Sequence, residues 1–184
     1  MALTQYVTAT TLDGYIADAD NSLDWLFVVE RADEGEGFGR FLADVGAMAM
    51  GATTYVWVLD HEDLLEHPER WQEMYADRPC WVFGHRELPP IPGVDLRFVQ
   101  GDVRAVHAAM VEAAGDRNLW LVGGGDLVGQ FHDAGLLDEV RVSIAPTTLG
   151  SGAPLLPRRI ESLRLESVER NGQMVELTYS LGRP

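Results

Sequence analysis

Short apolar runs that alternate with segments of helical character are the feature that most restricts the fold of this chain. Five runs of apolar or β-forming residues, typical of buried strands, precede the last third of the sequence: Leu3–Thr10, Val45–Met50, Cys80–Phe83, Leu96–Val99 and Leu119–Val122. Four helical segments alternate with them: Phe38–Ala43, Glu69–Tyr75, Val103–Ala114 and Leu127–Ala134. Asp102 and Asp126 are predicted to be the N-caps of the last two helices. This alternation predicts an α/β fold with parallel neighbouring strands.

The last third of the chain changes to a period of two. Glu139–Ala145 alternates strictly, and Leu163–Val168 and Val175–Leu181 alternate in the same way. Asn171-Gly172 lies between the last two runs and is a strong hairpin signal. The sequence therefore predicts a central mixed sheet of about eight strands flanked by helices, first parallel and then antiparallel. No repeat or long linker divides residues 1–184, so a single domain is expected.

The charged residues restrict the chemistry. All 14 basic residues are arginine, against 29 acidic residues, and the formal net charge is −15. Without lysine, the chain can form neither a Schiff base nor a phosphate loop of the Walker type. The negative charge opposes binding of nucleic acids and anionic membranes, so a small-molecule substrate is expected. The lone Cys80 forms no internal disulfide, and no apolar stretch approaches the roughly 18 residues of a membrane span, which favours a cytoplasmic protein.

Three glycines, Gly123–Gly125, lie between an apolar strand and a predicted helix in the segment LWLVGGGDL. Residues without a Cβ let a pyrophosphate approach the main chain, and a helix N-terminus offers it free N–H groups. A tight strand-to-helix turn explains the glycines equally well. The spacing differs by one residue from GxGxxG, so a dinucleotide would be bound by a fold other than the Rossmann fold.

Two further predicted strands end in residues that suit a phosphate. Met50–Tyr55 runs from a strand through a glycine into threonines at a helix start, where capping is their alternative role. Val82–Arg86 runs from a strand into a loop that carries His85 and Arg86. Because ligands collect at the carboxyl ends of strands in α/β sheets, these ends predict one anion-binding edge.

The stretch Thr11–Trp25 contains the turn signal Asp13-Gly14 and is predicted to be a long loop over the edge of the sheet. Loops of this length are often lids over a ligand, and Tyr15 and Trp25 would then contact the substrate. A cover over the core is the alternative role. The five histidines and the single cysteine show no spacing typical of metal ligands, so no metal site is predicted.

Five segments in this order make the chain similar to a known family: TLDGYIAD, MGATTY, WVFGHREL, LVGGGDLVGQF and GLLDEVRVSIAPTTLGSGAPLL. They resemble the dihydrofolate-reductase-like superfamily, in the branch of the C-terminal reductase domain of the bacterial bifunctional deaminase-reductase of riboflavin biosynthesis. The resemblance covers nearly the whole chain. It implies an eight-stranded mixed sheet, NADPH as the hydride donor and a homodimer.

The resemblance also implies which residues bind the cofactor. These are Ala9 and Ile16 at the nicotinamide, Gly51, Ala52, Thr53 and Thr54 at the pyrophosphate, Phe83, Gly84, His85 and Arg86 near the adenosine 2′-phosphate, and Val122, Gly123, Gly124, Gly125, Asp126 and Leu127 at the glycine turn. A non-proline cis peptide is expected within the glycine turn. Relatives commonly carry an arginine where this chain has Ala52, and a serine or threonine where it has Gly84. Both departures remove phosphate ligands and leave that role to His85 and Arg86.

The proton donor of such a reductase is expected to be a carboxylate near the Thr11–Trp25 loop. The predicted catalytic residues are Asp24, Glu36 and Asp13, with Glu34 as a neighbouring candidate. Asp24 is preferred because the adjacent Trp25 would desolvate its carboxyl group and raise its pKa.

Three functions are compatible with these observations. The first is an NADPH-dependent reductase that acts on a small heterocyclic or pyrimidine-ribosyl substrate, as a 5-amino-6-(5-phosphoribosylamino)uracil reductase or a dihydrofolate reductase does. The second is a nucleotide-binding homologue with little or no reductase activity, which the loss of phosphate ligands at Ala52 favours. The third is an interaction protein, which only the net charge of −15 supports.

Overall fold

Parallel strands make up most of the central sheet in the computed structural model, which describes residues 2–32 and 35–182. The elements in chain order are β1 (Thr4–Thr11), β2 (Tyr15–Ala17), α1 (Asp24–Phe27), α2 (Glu36–Ala43), β3 (Val45–Gly51), α3 (Ala52–His61), α4 (Glu69–Tyr75), β4 (Cys80–Phe83), β5 (Leu96–Val99), α5 (Val103–Ala114), β6 (Asn118–Gly123), α6 (Gly125–Asp133), β7 (Glu139–Ala145), β8 (Ala153–Pro154), β9 (Leu163–Asn171) and β10 (Met174–Leu181).

The central sheet has eight strands in the order β5-β4-β3-β6-β1-β7-β10-β9. Every pair from β5 to β7 is parallel, and β10 pairs antiparallel with both β7 and β9. The predicted fold class, a single α/β domain with a mixed eight-stranded sheet and helices on its faces, is confirmed. The carboxyl ends of the parallel strands therefore lie along one edge, as βαβ connections require.

Both faces of the inner parallel strands are buried, and alternate side chains of each strand enter different parts of the core. On β6, Leu119 and Leu121 pack with α5 and α6, whereas Trp120 packs with α2, α3 and α4. This arrangement explains why these strands read as continuous apolar runs rather than as alternating ones. No helix among the described residues is long and apolar enough to cross a membrane.

One of the two predicted N-caps is present in the structure. The Asp102 carboxylate accepts a hydrogen bond from the main-chain N–H of Arg104 at 2.9 Å, which confirms it as an N-cap. The prediction for Asp126 was wrong, because α6 begins two residues earlier than predicted, at Gly125, and its N-cap is Gly124. Glycine there lets the main chain turn closely into the helix, so the cap needs no side chain.

The stretch between β1 and α1 is more ordered than the predicted loop. It contains β2, which pairs with β8 through Tyr15 opposite Pro154 and Ala17 opposite Ala153. Strands of three and two residues are too short to show a period, so no sequence pattern predicts them. This small sheet holds the loop against the segment that follows β7.

The predicted hairpin between β9 and β10 is present, with Met174 opposite Asn171. Its pairing contains one irregularity, because Thr178 lies opposite Ser167 while Tyr179 lies opposite Leu165. Glu166 is therefore the extra residue of a β-bulge. The simple alternation predicted for Leu163–Val168 was wrong at this point, since Leu165 and Ser167 face opposite sides of the sheet.

Candidate functional site

A cleft of about 1430 Å³ runs along the carboxyl ends of the parallel strands. Its walls include the ends of β3, β4 and β6 and the first turns of α3 and α6. This is the edge at which open α/β sheets bind ligands. The three strand ends singled out in the sequence therefore meet in one space.

The glycine turn after β6 forms the centre of the cleft. The peptide bond between Gly123 and Gly124 is cis, as the family resemblance implies. A Cβ at Gly125 would overlap the carbonyl oxygens of Pro154 and Leu155. Only glycine lets α6 start this close to the β8 segment, so the exposed N–H groups of its first turn face the cleft.

The first turn of α3 faces the same space. Its N-cap, Gly51, provides no side chain, and a Cβ there would lie 3.7 Å from the Gly124 nitrogen. A Cβ at Gly123 would lie 3.8 Å from the Thr54 hydroxyl. Gly51 and the glycine turn thus form a cradle that methyl groups would partly fill. Two helix N-termini and their dipoles at one place favour an anion.

The end of β4 forms one side of the cleft. Phe83, Gly84 and His85 line it, together with Ala52 at the start of α3. A Cβ at Gly84 would lie 2.7 Å from the Ala52 Cβ, so these two residues approach closely. Arg86 was predicted to contact the cofactor, but it is exposed and is not among the residues lining the cleft.

Ala9 on β1 and Ile16 on β2 lie on the other side of the glycine turn. Both line the cleft, and the Ile16 Cδ1 atom is 3.9 Å from the position of a Cβ at Gly124. The structure therefore brings together the two residues predicted at a nicotinamide ring and the turn predicted at the pyrophosphate. Val122, Asp126, Leu127 and Thr53 also line this cleft.

Beyond β1, the sheet itself forms the floor of the cleft. Strand pairing places two rows of residues side by side across four strands: Ala9, Ser143, Glu176 and Glu169 in one row, and Val7, Arg141, Thr178 and Ser167 in the other. All eight line the cleft. Because directly opposed residues of neighbouring strands share a face, the polar members of both rows extend from Ala9 onto the hairpin.

Two members of these rows are held in place by neighbouring side chains. The Glu176 carboxylate accepts a hydrogen bond from the Asn171 side chain at 2.8 Å. The Arg141 guanidinium pairs with Glu139, which also accepts a hydrogen bond from the Gln5 amide at 2.7 Å. Sequence reasoning missed both Glu176 and Arg141. Their alternation with apolar neighbours was visible, but the pairing of β7 with β10 that turns them to the cleft was not.

Aromatic side chains from α1, α2, α3 and β6 also line the cleft. Phe27 stacks on Trp57 with ring centres 6.3 Å apart, and Phe38 meets Trp120 edge to face at 5.4 Å. All four line the cleft. Flat apolar walls beside a polar floor suit a planar heterocycle with polar substituents.

The predicted catalytic carboxylates do not line the cleft. Asp24 and Glu36 are exposed residues at the starts of α1 and α2. The Asp13 carboxylate accepts hydrogen bonds from the Thr11 hydroxyl and from the N–H groups of Leu149 and Gly150. These bonds, that from Thr11 foremost, lower the pKa of Asp13, which suits a structural anion better than a proton donor. Glu34 lies outside the described residues.

The two predicted substrate contacts lie outside the lining as well. Trp25 is 8% exposed and packs with Ala145 and Met174 in a small apolar cluster. Tyr15 belongs to β2, where its N–H donates to the Thr11 hydroxyl. Of the two roles considered for Trp25, contact with the substrate and cover over the core, the structure fits the second. In the described part of the chain, no group of three or more His, Cys, Asp or Glu side chains is arranged to hold a metal ion.

Known proteins share this sequence pattern and this fold. The sequence profile of the RibD C-terminal domain matches residues 4–177. The uncharacterized protein YwjB of Bacillus subtilis (strain 168) is 32% identical over 173 residues, which are 93% of each chain. A crystal structure of a candidate riboflavin biosynthesis protein from Shewanella sp. PV-4 is 28% identical, with a TM-score of 0.80 over all of both chains.

A more distant structure extends the similarity of fold. The diaminohydroxyphosphoribosylaminopyrimidine deaminase/5-amino-6-(5-phosphoribosylamino)uracil reductase of Thermotoga maritima is 18% identical, with a TM-score of 0.66. The match covers 98% of this chain and 57% of that one.

Proposed function

Because the chain belongs to the RibD C-terminal domain family, we propose that it is an NADPH-dependent reductase of a small heterocyclic or pyrimidine-ribosyl compound. The observation that carries the proposal is the cradle of Gly51 and Gly123–Gly125, where two helix N-termini meet beside Ala9. The name of the Thermotoga reductase suggests the substrate class, a phosphoribosylaminopyrimidine or a compound like it.

The residues of the cleft fit most of a nicotinamide dinucleotide. The main-chain N–H groups at the starts of α3 and α6 would hold the pyrophosphate without a lysine. Ala9 and Ile16 would border the nicotinamide, which supplies a hydride when bound. The chain itself positions the two reactants and keeps water from them.

The floor beyond Ala9 would hold the substrate next to the nicotinamide. Adjacent strands are about 4.8 Å apart, so the rows reach from Ala9 to Glu176 over about 10 Å, the width of a bicyclic ring. Glu176 lies two strands from Ala9 and is oriented by Asn171. We propose that Glu176, rather than Asp13, Asp24 or Glu36, exchanges a proton with the substrate. Among these four residues, Glu176 alone lines the cleft.

The alternative function is a nucleotide-binding homologue with little or no reductase activity. The contact of Ala52 with Gly84 favours it, since neither residue offers a group to a phosphate. Binding of a dinucleotide without hydride transfer to pterins or aminopyrimidines would support this alternative over the reductase.

We also propose that residues 1–184 act as one domain in a cytoplasmic homodimer. Leu163, Leu165, Val168 and Val175 on the outer hairpin are exposed apolar side chains that a second copy could cover. Light scattering at micromolar concentration tests this, and a monomer throughout contradicts it.

The central proposal is tested by filling the cradle with one methyl group. Gly51 has φ −78° and ψ 158°, which alanine adopts readily, and the added Cβ meets only ordinary contacts. Gly51→Ala should therefore keep its free energy of unfolding to within about 1 kcal/mol. Its affinity for NADPH should fall at least tenfold, which is a loss of about 1.4 kcal/mol or more in binding free energy.

Fluorescence of Trp57 and Trp120, which line the cleft, reports the binding. Gly39→Ala is the matched control, because a Cβ there meets nothing within 4 Å. If saturating NADPH changes neither the fluorescence nor the melting temperature of the wild type, the proposed function is wrong.

A further inference from the structure

The cations that line the cleft all lie on one side of it. Four arginines line its described part, and they belong to the α1–α2 connection, α2, β7 and β9: Arg31, Arg40, Arg141 and Arg170. The opposite side, at the ends of β4 and β5 and along α6, is lined by His85, Gln100, Gln130 and Asp126. No arginine from the described residues lines that side, and the chain has no lysine.

Arg86, which follows His85, is exposed and does not line the cleft, and two other arginines near that side are engaged elsewhere. Arg158 packs over Gly129 and pairs with Asp126 at 3.1 Å and Asp133 at 2.8 Å. Arg97 pairs with Asp95 at 2.8 Å and stacks over a tryptophan ring of β4. Both guanidinium groups are neutralised by carboxylates, so neither is free to meet a phosphate in the cleft.

The meeting point of α3 and β4 is closed by two small residues. A Cβ on Gly84 would lie 2.7 Å from the Ala52 Cβ, so position 84 has no space for a donor side chain, and Ala52 carries no donor. The polar residues next to them in the lining are Thr53 and His85. The His85 ring is exposed, and its Nδ1 atom lies 3.4 Å from the Gln100 side-chain oxygen.

The shape of the cleft decides which half of a dinucleotide meets this side. On the Ala9 side, the cleft continues over β7, β10 and β9, where a second reactant has room. The nicotinamide must share its space with a substrate, so it belongs on that side of the cradle. The adenosine ribose then lies at the ends of β4 and β5, where no arginine lines the cleft.

We infer that this site does not select the 2′-phosphate that distinguishes NADPH from NADH, so that the proposed reductase binds NADH about as tightly as NADPH. The inference rests on the proposed function and concerns the specificity of the same site. A phosphate without a cation gains no charge-assisted hydrogen bond. The 2′-phosphate also brings negative charge to a chain whose net charge is −15, so the chain repels it. This electrostatic repulsion is stronger at low salt, where it is less screened.

Titration of the full chain with NADPH and NADH, followed by protein fluorescence and calorimetry, tests the inference without any turnover. The dissociation constant for NADH should be at most about three times that for NADPH at 0.2 M salt. At 0.02 M salt, the ratio should shift further towards NADH. NADPH binding tenfold or more tighter than NADH overturns the inference and leaves the proposed function standing. Binding of neither overturns both.

Two gain-of-charge variants test the placement of the adenosine half. Ala52→Arg should tighten NADPH about tenfold and NADH less than twofold, because it adds a cation beside the ribose. Ala52→Gln is the matched control with a long uncharged side chain, and it should leave the ratio of the NADPH and NADH dissociation constants unchanged. Gln100→Arg, at an exposed position on the same side, repeats the test if Ala52→Arg does not fold. Folded arginine variants that leave the NADPH to NADH ratio unchanged overturn the inference.

Discussion

Gly125→Ala should separate the start of α6 from the β8 segment. A Cβ at this position would lie 2.8 Å from the Leu155 carbonyl carbon and would overlap the carbonyl oxygens of Pro154 and Leu155. Carbon atoms pack about 3.5–4.0 Å apart, so the two main chains must move apart by roughly 0.7 Å or more. Neither partner is a side chain that could rotate away.

The size of the effect follows from two opposing contributions. Overpacking against main chain costs about 3 kcal/mol, at the upper end of its usual range. Alanine in a helix recovers about 1 kcal/mol relative to glycine. The expected loss in the free energy of unfolding is therefore about 2 kcal/mol, which lowers the melting temperature by about 4–8 °C for a chain of this length.

Gly129→Ala is the matched control on the same helix. A Cβ there would lie 2.7 Å from the Arg158 Cζ atom, which is the end of a long side chain that can move. We expect a loss of stability less than half that of Gly125→Ala in urea unfolding. Hydrogen exchange supplies the second measurement, since the Leu155 N–H donates to the Gly14 carbonyl oxygen at 2.9 Å and should lose protection only in Gly125→Ala. Equal stability of both variants, with Leu155 still protected, would refute the reasoning.

Three further substitutions test other contacts. Burial lowers the pKa of His107, which shares a hydrogen bond with the Thr4 hydroxyl at 2.8 Å. His107 therefore binds a proton more readily in the unfolded chain, and the free energy of unfolding should fall as the pH is lowered from 7 to 5. His107→Gln should show a weaker fall in urea unfolding, and an unchanged pH dependence contradicts this. Arg78 donates to three carbonyl oxygens, those of Leu42, Val45 and Tyr75. Arg78→Lys cannot reproduce this fork and should cost about 2 kcal/mol in the same assay, whereas a change below about 0.5 kcal/mol would argue against the role. Asp13→Asn should speed hydrogen exchange at the Leu149 and Gly150 N–H groups, which donate to the Asp13 carboxylate. Because the pKa of Asp13 is lowered in the folded wild type, its protection of these two N–H groups should persist above about pH 4 and be lost as the pH falls further. Exchange at the wild-type rate in Asp13→Asn would mean that these bonds are not protective.

The sequence predicted the parts of the fold that have a strong local cause. The strand of Cys80–Phe83 is recognisable because both of its faces are buried, and Asp102 is recognisable because its side chain caps the helix that follows. The glycine turn was found for the same reason, since three successive residues without a Cβ need a close approach to explain them. In these cases, neighbours in sequence provide the cause.

The floor of the cleft could not be predicted in this way. Glu176 and Arg141 are 35 positions apart in the sequence and share a face only because β10 pairs with β7 in one particular register. No local sequence pattern predicts that register. The reason for preferring Asp24 does not hold either, because the adjacent Trp25 turns into the core while the carboxylate stays in solvent. Adjacency in sequence did not give the carboxylate an apolar environment.

The β-bulge at Glu166 has a consequence for how the hairpin can change in length. Loss of one residue within a strand ordinarily moves every side chain beyond it to the other face. Here, deletion of Glu166 would leave Leu165 opposite Tyr179 and Ser167 opposite Thr178, in regular pairing. The apolar and polar faces would both keep their residues, and only the contact of Glu166 with Ser180 would be lost. Homologous chains one residue shorter at this point can thus line the cleft in the same way, and a gap there in an alignment does not signal a different site.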